Sequence, residues 1–241
     1  MIDPNIVRKI VDMAEIRPGD TVLEIGPGPG ALTAELLSAG AHVLAIEMDR
    51  TFARELIRLQ TSDQRLRVVE ADFLKFPLEH LRSPLKVVAN LPYHITAPIL
   101  GKICQASKLF SSMTLMVQKE VGERIVASCG CKDYSPLTVF IQFYTRIRRL
   151  ISVPASCFYP RPKVDSSVIR FDFQPPPPVD ATAFFSLVKK AFQQRRKMVT
   201  TSLGIKKETL SAIGVNEGAR PENLPLEKWL ELFEKLDEHF S

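Results

Sequence analysis

The 241 residues, 45% hydrophobic and 24% charged, suffice for one large domain, or a core domain with a smaller appendage, of ordinary globular composition. No apolar run approaches the roughly 20 residues that span a bilayer, and the opening MIDPNIVRKI lacks the regions of a secretory signal, so a cytoplasmic protein with no membrane partner is expected. The formal charge of +5 is unevenly placed: seven Lys or Arg and no acid lie between Ala181 and Lys207, and eight acids against three bases follow, leaving either a solvated basic face or one that binds a polyanion.

In chain order, DTVLEIG (20–26) reads as a short buried strand and ALTAELLSAG (31–40) as a helix that stops at Gly40. HVLAIEMD (42–49) is a second strand, followed by a helix over about Thr51–Leu59. Strands at RLRVVEADF (65–73) and LKVVANLPY (85–93) and a helix over about Thr96–Gln105 continue the alternation. Repeated strand-helix units predict an α/β fold, a Rossmann-like and mostly parallel sheet covered on both faces.

SSMTLMVQKEVGERIV reads as a strand running into a helix. TVFIQFYTRIRRLISV and SSVIRFDF are β-branched and aromatic runs with no room for a crossover helix between them, which predicts an antiparallel edge. QPPPPVD (174–180) breaks all periodicity and places a linker there. Helices are expected over Ala181–Phe192, Met198–Leu203, Lys206–Ile213 and Leu226–Phe240. The expected division is a catalytic domain over 1–173, the linker over 174–180 and a small all-helical domain over 181–241. Cys104 and Cys157 stand alone and Cys129 and Cys131 form a C-x-C; with four scattered histidines, reduced thiols and no metal are expected.

EIGPGPGAL (24–32) sits between the first strand and the first helix, where Gly26, Gly28 and Gly30 let the backbone approach a ligand and present amides at a helix N-terminus. About 20 residues on, Glu47 ends the second strand, where an acid accepts hydrogen bonds from ribose hydroxyls; the alternative is a surface glutamate beside a tight turn. Asp72, at the end of the third strand, is placed to accept from an adenine amino group, with Phe73 packing on the base, or else is a capping aspartate. The E-x-G-x-G-x-G loop with these acids resembles the class I S-adenosylmethionine-dependent methyltransferases, which implies that cofactor.

Asn90-Leu91-Pro92-Tyr93 falls where the reactive end of such a cofactor lies. An aryl amine is a poor nucleophile because its lone pair is delocalised. The Asn90 amide oxygen and the Leu91 carbonyl each accept an amino hydrogen, favouring a pyramidal nitrogen; Pro92 fixes that carbonyl and Tyr93 offers a ring for a purine. An ordinary strand-to-helix turn is the alternative. NLPY resembles the rRNA adenine N6-dimethyltransferases of the KsgA type, and MVQKEVGERI (116–125), YSPLTVF (134–140), CFYPRPKVDSSVI (157–169) and AFQQRRKMVTTSL (191–203) extend the resemblance over most of the chain.

That resemblance implies two methyl transfers to N6 of two adjacent adenosines near the 3′ end of small-subunit (16S) rRNA, by a monomer acting on the pre-assembled small subunit during its biogenesis. It implies that Phe158 stacks on the target base, that Asn90 also borders the cofactor, and that Lys189, Lys190, Arg195, Arg196 and Lys197, on a Q-R-R-K helix, face RNA. The family's Q-N-F-L motif precedes the Ile2-Asp3 pair, and Met1 holds its last position beside the cofactor; a shortened chain is the simplest expectation. A large-subunit rRNA methyltransferase of the macrolide-resistance type, or a non-catalytic RNA-binding assembly or transcription factor, are the alternatives.

Overall fold

The computed structural model describes residues 3–61, 63–82, 84–91 and 95–237. It opens on α1 (Pro4–Met13), a helix missing from the reading above although Asp3-Pro4 is a start signal. Asp3 Oδ1 accepts from the Asn5 amide at 2.8 Å, and Pro4 stands in the first turn, where no donor is required.

Then follow β1 (Thr21–Ile25), α2 (Ala31–Ser38), β2 (His42–Glu47), α3 (Arg50–Gln60), β3 (Leu66–Glu70), β4 (Leu85–Asn90), α4 (Thr96–Gln105) and β5 (Phe110–Gln118). After α5 (Lys119–Ile125) and α6 (Pro136–Tyr144) come β6 (Thr145–Val153) and β7 (Ser166–Phe173). The seven strands run in the order β3-β2-β1-β4-β5-β7-β6; the first five are mutually parallel and β7 is antiparallel to both its neighbours. The expected parallel sheet with an antiparallel edge is therefore what the chain forms.

Alternation along each strand decides what covers the sheet. Val22, Val43, Ala45, Leu66, Val88, Met116 and Val168 share a core with Val7, Ile10 and Val11 of α1 and Leu32 and Leu36 of α2. Leu23, Ile46, Val87, Leu115 and Ile169 point the other way and are buried as well, so both faces are covered. Each Val, Leu, Ile or Met among these contributes roughly 1.5–3 kcal/mol on burial, so packing rather than intrinsic propensity holds the short helix α1. Its C-terminal end is pinned to the sheet: Arg170, buried, donates to the Met13 carbonyl at 3.1 Å and pairs with Glu15 and Asp172, and Lys86 Nζ donates to the Glu15 carbonyl and Asp20.

The chain forms two compact units, Met1–Gly122 with Thr145–Pro175, and Glu123–Tyr144 with Pro176–Ser241. The second contains α6, α7 (Ala181–Gln193), α8 (Val199–Leu203), α9 (Lys207–Ser211) and α10 (Leu226–Asp237). Two expectations are corrected. TVFIQFY is the helix α6 and not part of a strand, and residues 123–144 belong with the C-terminal helices, not with a unit running unbroken over 1–173. The cause is aromatic packing: Phe143 lies 5.3 Å from Phe184 and 4.9 Å from Phe185 of α7, and Phe140 lies 4.9 Å from Phe185. β-propensity measures fit to a half-buried pleated surface, and a helical partner overrides it. Ser135-Pro136 was the available signal, since Ser135 and Thr138 exchange cap hydrogen bonds at the first turn of α6.

Candidate functional site

Because β1 to β4 are parallel, their carboxyl ends fall along one edge of the sheet, the position at which α/β sheets bind ligands. A cleft of about 290 Å³ opens there, within the first unit, lined among others by Glu24, Gly26, Gly28, Asn90, Met116 and Phe158, with Val7 and Ile10 of α1.

The glycine loop is wired to the next strand. The Gly26 amide donates to the Ile46 carbonyl at 2.9 Å, and the Gly28 amide to Glu47 Oε2 at 2.8 Å; Glu47 Oε1 accepts from the Asp49 amide at 2.8 Å. Gly26 and Gly28 have φ of +64° and +55°, and a Cβ on either would project into open space. Gly30 shares the left-handed backbone, at φ +83°, but differs in its surroundings: a Cβ there would also meet Leu56 Cδ2 of α3 at 2.7 Å. It is the N-cap of α2, and Ala31 and Leu32 of that helix border the cleft.

Sequence reasoning missed Glu24 as a site residue. It is fully buried; Oε2 accepts from Thr33 Oγ1 at 2.7 Å, while Oε1 has no hydrogen-bond partner among the described residues. Burial above all pushes its carboxyl up to about 8; the Thr33 hydroxyl opposes the shift and the Glu47 charge adds to it. A buried polar atom without a partner at the wall of a cleft is a place for a ligand to complete. The signal lay in the sequence: an acid inside an otherwise apolar strand, two residues before the first loop glycine.

Asp72 stands two residues beyond the end of β3 in a turn, where its Oδ1 accepts from the Leu74 amide at 2.9 Å. The capping role is thus realised for one carboxylate oxygen. Phe73 is buried rather than presented to a ligand. Lys102 of α4 sits 5.3 Å from its ring centroid and donates to the Phe73, Leu74 and Phe76 carbonyls, holding the turn that carries Asp72. Desolvation lowers the pKa of this lysine, with Asp72 and Glu79 opposing.

Asn90 ends β4 and is exposed, whereas Leu91 is buried and its amide donates to the Met116 carbonyl at 3.1 Å. That bond fixes the backbone at the point where the strand runs out. Phe158, half-buried against the core, borders the same cleft. Met1, Pro92 and Tyr93 lie outside the described residues. In the second unit Lys189, Lys190, Arg196 and Lys197 are exposed, but Arg195 is half-buried, 3.6 Å from Glu222 and donating to the Cys131 carbonyl at 3.4 Å. The Q-R-R-K element is not helical: α7 ends at Gln193, Gln194 leaves helical geometry at φ −115°, ψ 51°, and residues 194–197 form a turn closed by the Lys197 amide on the Gln194 carbonyl.

The profile of the family described as ribosomal RNA adenine dimethylase matches residues 1–238. The ribosomal RNA small subunit methyltransferase A of Protochlamydia amoebophila (strain UWE25) is 46% identical over 250 residues, covering 98% of this chain and 88% of that protein. Its namesake in Moorella thermoacetica (strain ATCC 39073 / JCM 9320) is 42% identical, covering 95% and 87%. Among solved structures, a dimethyladenosine transferase from Plasmodium falciparum superposes with a TM-score of 0.87 at 25% identity over 99% of this chain and 98% of its own. The 23S rRNA methyltransferase ErmE superposes at 0.77 with 30% identity, over 98% of each chain.

Proposed function

Given that the chain belongs to the ribosomal RNA adenine dimethylase family, we propose that it dimethylates N6 of two adjacent adenosines near the 3′ end of small-subunit rRNA, using S-adenosylmethionine, in the cytoplasm during small-subunit biogenesis. The observation that carries this reading is the shared cleft: the glycine loop, the unsatisfied Glu24 oxygen, Asn90 and Phe158 border one space. The relatives at 46% and 42% carry the small-subunit name, which favours that substrate over the large-subunit alternative. An intact glycine loop and Asn90 speak against a non-catalytic RNA-binding factor.

The residues fit the cofactor. Gly26 and Gly28 leave room for close backbone approach, Glu24 completes its hydrogen bonding with the α-ammonium, Glu47 retains lone pairs for the ribose hydroxyls, and the free oxygen of Asp72 takes the adenine amino group. Met48, directly after Glu47 and 70% exposed, supplies apolar cover for the base. When bound, S-adenosylmethionine supplies an electrophilic methyl on a positively charged sulfur.

On the substrate side, Asn90 and the Leu91 carbonyl accept the two amino hydrogens of the target adenine, which localises the nitrogen lone pair. The bond from the Leu91 amide to the Met116 carbonyl anchors the chain immediately before that carbonyl, and Phe158 stacks on the base. The methylated amine is acidic enough to lose its proton to water, so no strong base is required. Arg196, Lys197, Lys189 and Lys190 meet phosphates, while Arg195 shapes its turn through Glu222.

The test supplies labelled cofactor and small subunits lacking the modification, with mass-spectrometric mapping of the modified adenines. Two dimethylated neighbours near the 3′ end are expected. Label on large-subunit rRNA, or none, overturns the assignment.

A further inference from the structure

The segment between β6 and β7 carries residues that the reaction above does not use. The backbone at Phe158 is extended, φ −119° and ψ 148°, so neighbouring side chains leave it on opposite sides. Phe158 packs toward the core and the cleft; Tyr159 is 76% exposed at the rim. Arg161 and Lys163 follow, both exposed, and neither forms an ion pair among the described residues. The loop is nonetheless held. Asp165 Oδ1 accepts from the Ala155 amide at 2.9 Å, the Asp165 carbonyl from the Lys119 amide at 3.0 Å, and the Cys157 carbonyl from the Asp3 amide at 2.8 Å.

Tyr159 presents a large ring that is 76% exposed, and it alternates with cations that form no ion pair among the described residues. Single-stranded RNA satisfies both: its bases stack on aromatic rings whatever their identity, and its phosphates accept the cations. The extended backbone at Phe158 sends the two side chains to opposite sides of the chain, Phe158 half-buried and Tyr159 exposed, which suits two bases rather than one.

We propose that Tyr159 stacks on the nucleotide next to the target adenosine, with Arg161 and Lys163 against the adjoining phosphates, so that the protein grips a dinucleotide rather than a single extruded base. The inference rests on the rRNA reading above and deepens it: while one adenosine occupies the cleft, its neighbour is held at the rim.

The test compares wild type, Tyr159→Ala and Tyr159→Phe on unmodified small subunits and on a hairpin RNA whose loop carries two adjacent unpaired adenosines. Tyr159 is exposed, so its truncation leaves the fold intact, checked by thermal unfolding. Tyr159→Ala raises KM on subunits at least about fivefold, as expected for losing one base–aromatic stack, with a smaller change in kcat, and Tyr159→Phe recovers most of the loss. On the hairpin, 2-aminopurine next to the target is quenched by wild type and not by Tyr159→Ala. An abasic residue at that position removes the difference between the two proteins.

A Tyr159→Ala protein that methylates small subunits with the wild-type KM overturns the inference alone, whatever the hairpin shows. Wild-type protein that transfers no methyl to small subunits overturns the functional reading itself.

Discussion

The glycine loop and the loop between β6 and β7 border the same cleft and are built in opposite ways. Along the first, backbone donors are already taken: Gly26 bonds Ile46, Gly28 bonds Glu47, and Glu47 bonds Asp49. Glu47 itself is buried, and Lys102 ties down three carbonyls of the neighbouring Asp72 turn. Along the second, hydrogen bonds secure the two ends, and the middle presents Tyr159, Arg161 and Lys163 to solvent. A small ligand of defined shape rewards a site whose geometry is set beforehand, because little ordering remains to be done on binding. A large polyanion brings its own shape, and exposed rings and cations on a secured loop meet it without prior desolvation.

Substitutions on the two sides separate cofactor binding from turnover. The largest effect falls on Asn90, which the proposed function assigns to the target amine. Asn90→Ala lowers kcat roughly 100- to 1000-fold, a loss of lone-pair positioning, and leaves the cofactor Kd within about threefold by calorimetry.

Glu24 comes next, and its effect depends on pH. The folded protein keeps the Glu24 proton up to about pH 8, while the unfolded chain releases it near the ordinary value of 4.5. Between those values the native state binds more protons, so its stability falls as pH rises. Glu24→Gln, tested by urea unfolding without cofactor, matches wild type near pH 4.5 and exceeds it by roughly 3 kcal/mol near pH 7.5. The same carboxyl makes wild-type cofactor binding tighten as pH rises toward 8, because a cation beside it favours the ionised form; Glu24→Gln flattens that profile.

Glu47→Ala removes a charged acceptor and unfastens Gly28, and weakens cofactor binding roughly 10- to 100-fold. An unchanged Kd would mean that the glycine-loop wall is not the cofactor side at all. Lys102→Met, which removes the donor to the Phe73, Leu74 and Phe76 carbonyls, loosens the Asp72 turn and raises the cofactor Kd about 3- to 10-fold with kcat nearly constant. The smallest effects are on RNA: Arg196→Ala or Lys197→Ala each reduces the salt slope of RNA affinity by about one, whereas Arg195→Ala, engaged with Glu222, acts through thermal stability of the helical unit.

Much of the sheet was legible because period-two alternation and apolar runs are local properties, and the E-x-G-x-G-x-G spacing with Glu47 is a linear pattern. Two helices were not. α1 forms because Val7, Ile10 and Val11 find the sheet and Arg170 holds its far end from 157 residues away. α6 forms because Phe140 and Phe143 find α7. In both, the deciding contact is distant in sequence, and only the start signals Asp3-Pro4 and Ser135-Pro136 were local.

The chain's own order of residues determined the parallel sheet, the antiparallel edge, the loop that follows β1 and the acids and amide that end the strands, since each depends on near neighbours and on the stereochemistry of a twisted sheet. The division of labour within those motifs was decided by tertiary structure. Gly30 packs against Leu56, Asp72 spends one oxygen on its own turn, Arg195 turns inward to Glu222, and Glu24, given no role of its own at the head of the E-x-G-x-G-x-G motif, ends with a buried oxygen that has no partner among the described residues. Burial and partnership set the state of a polar group, and neither is a property of the residue alone.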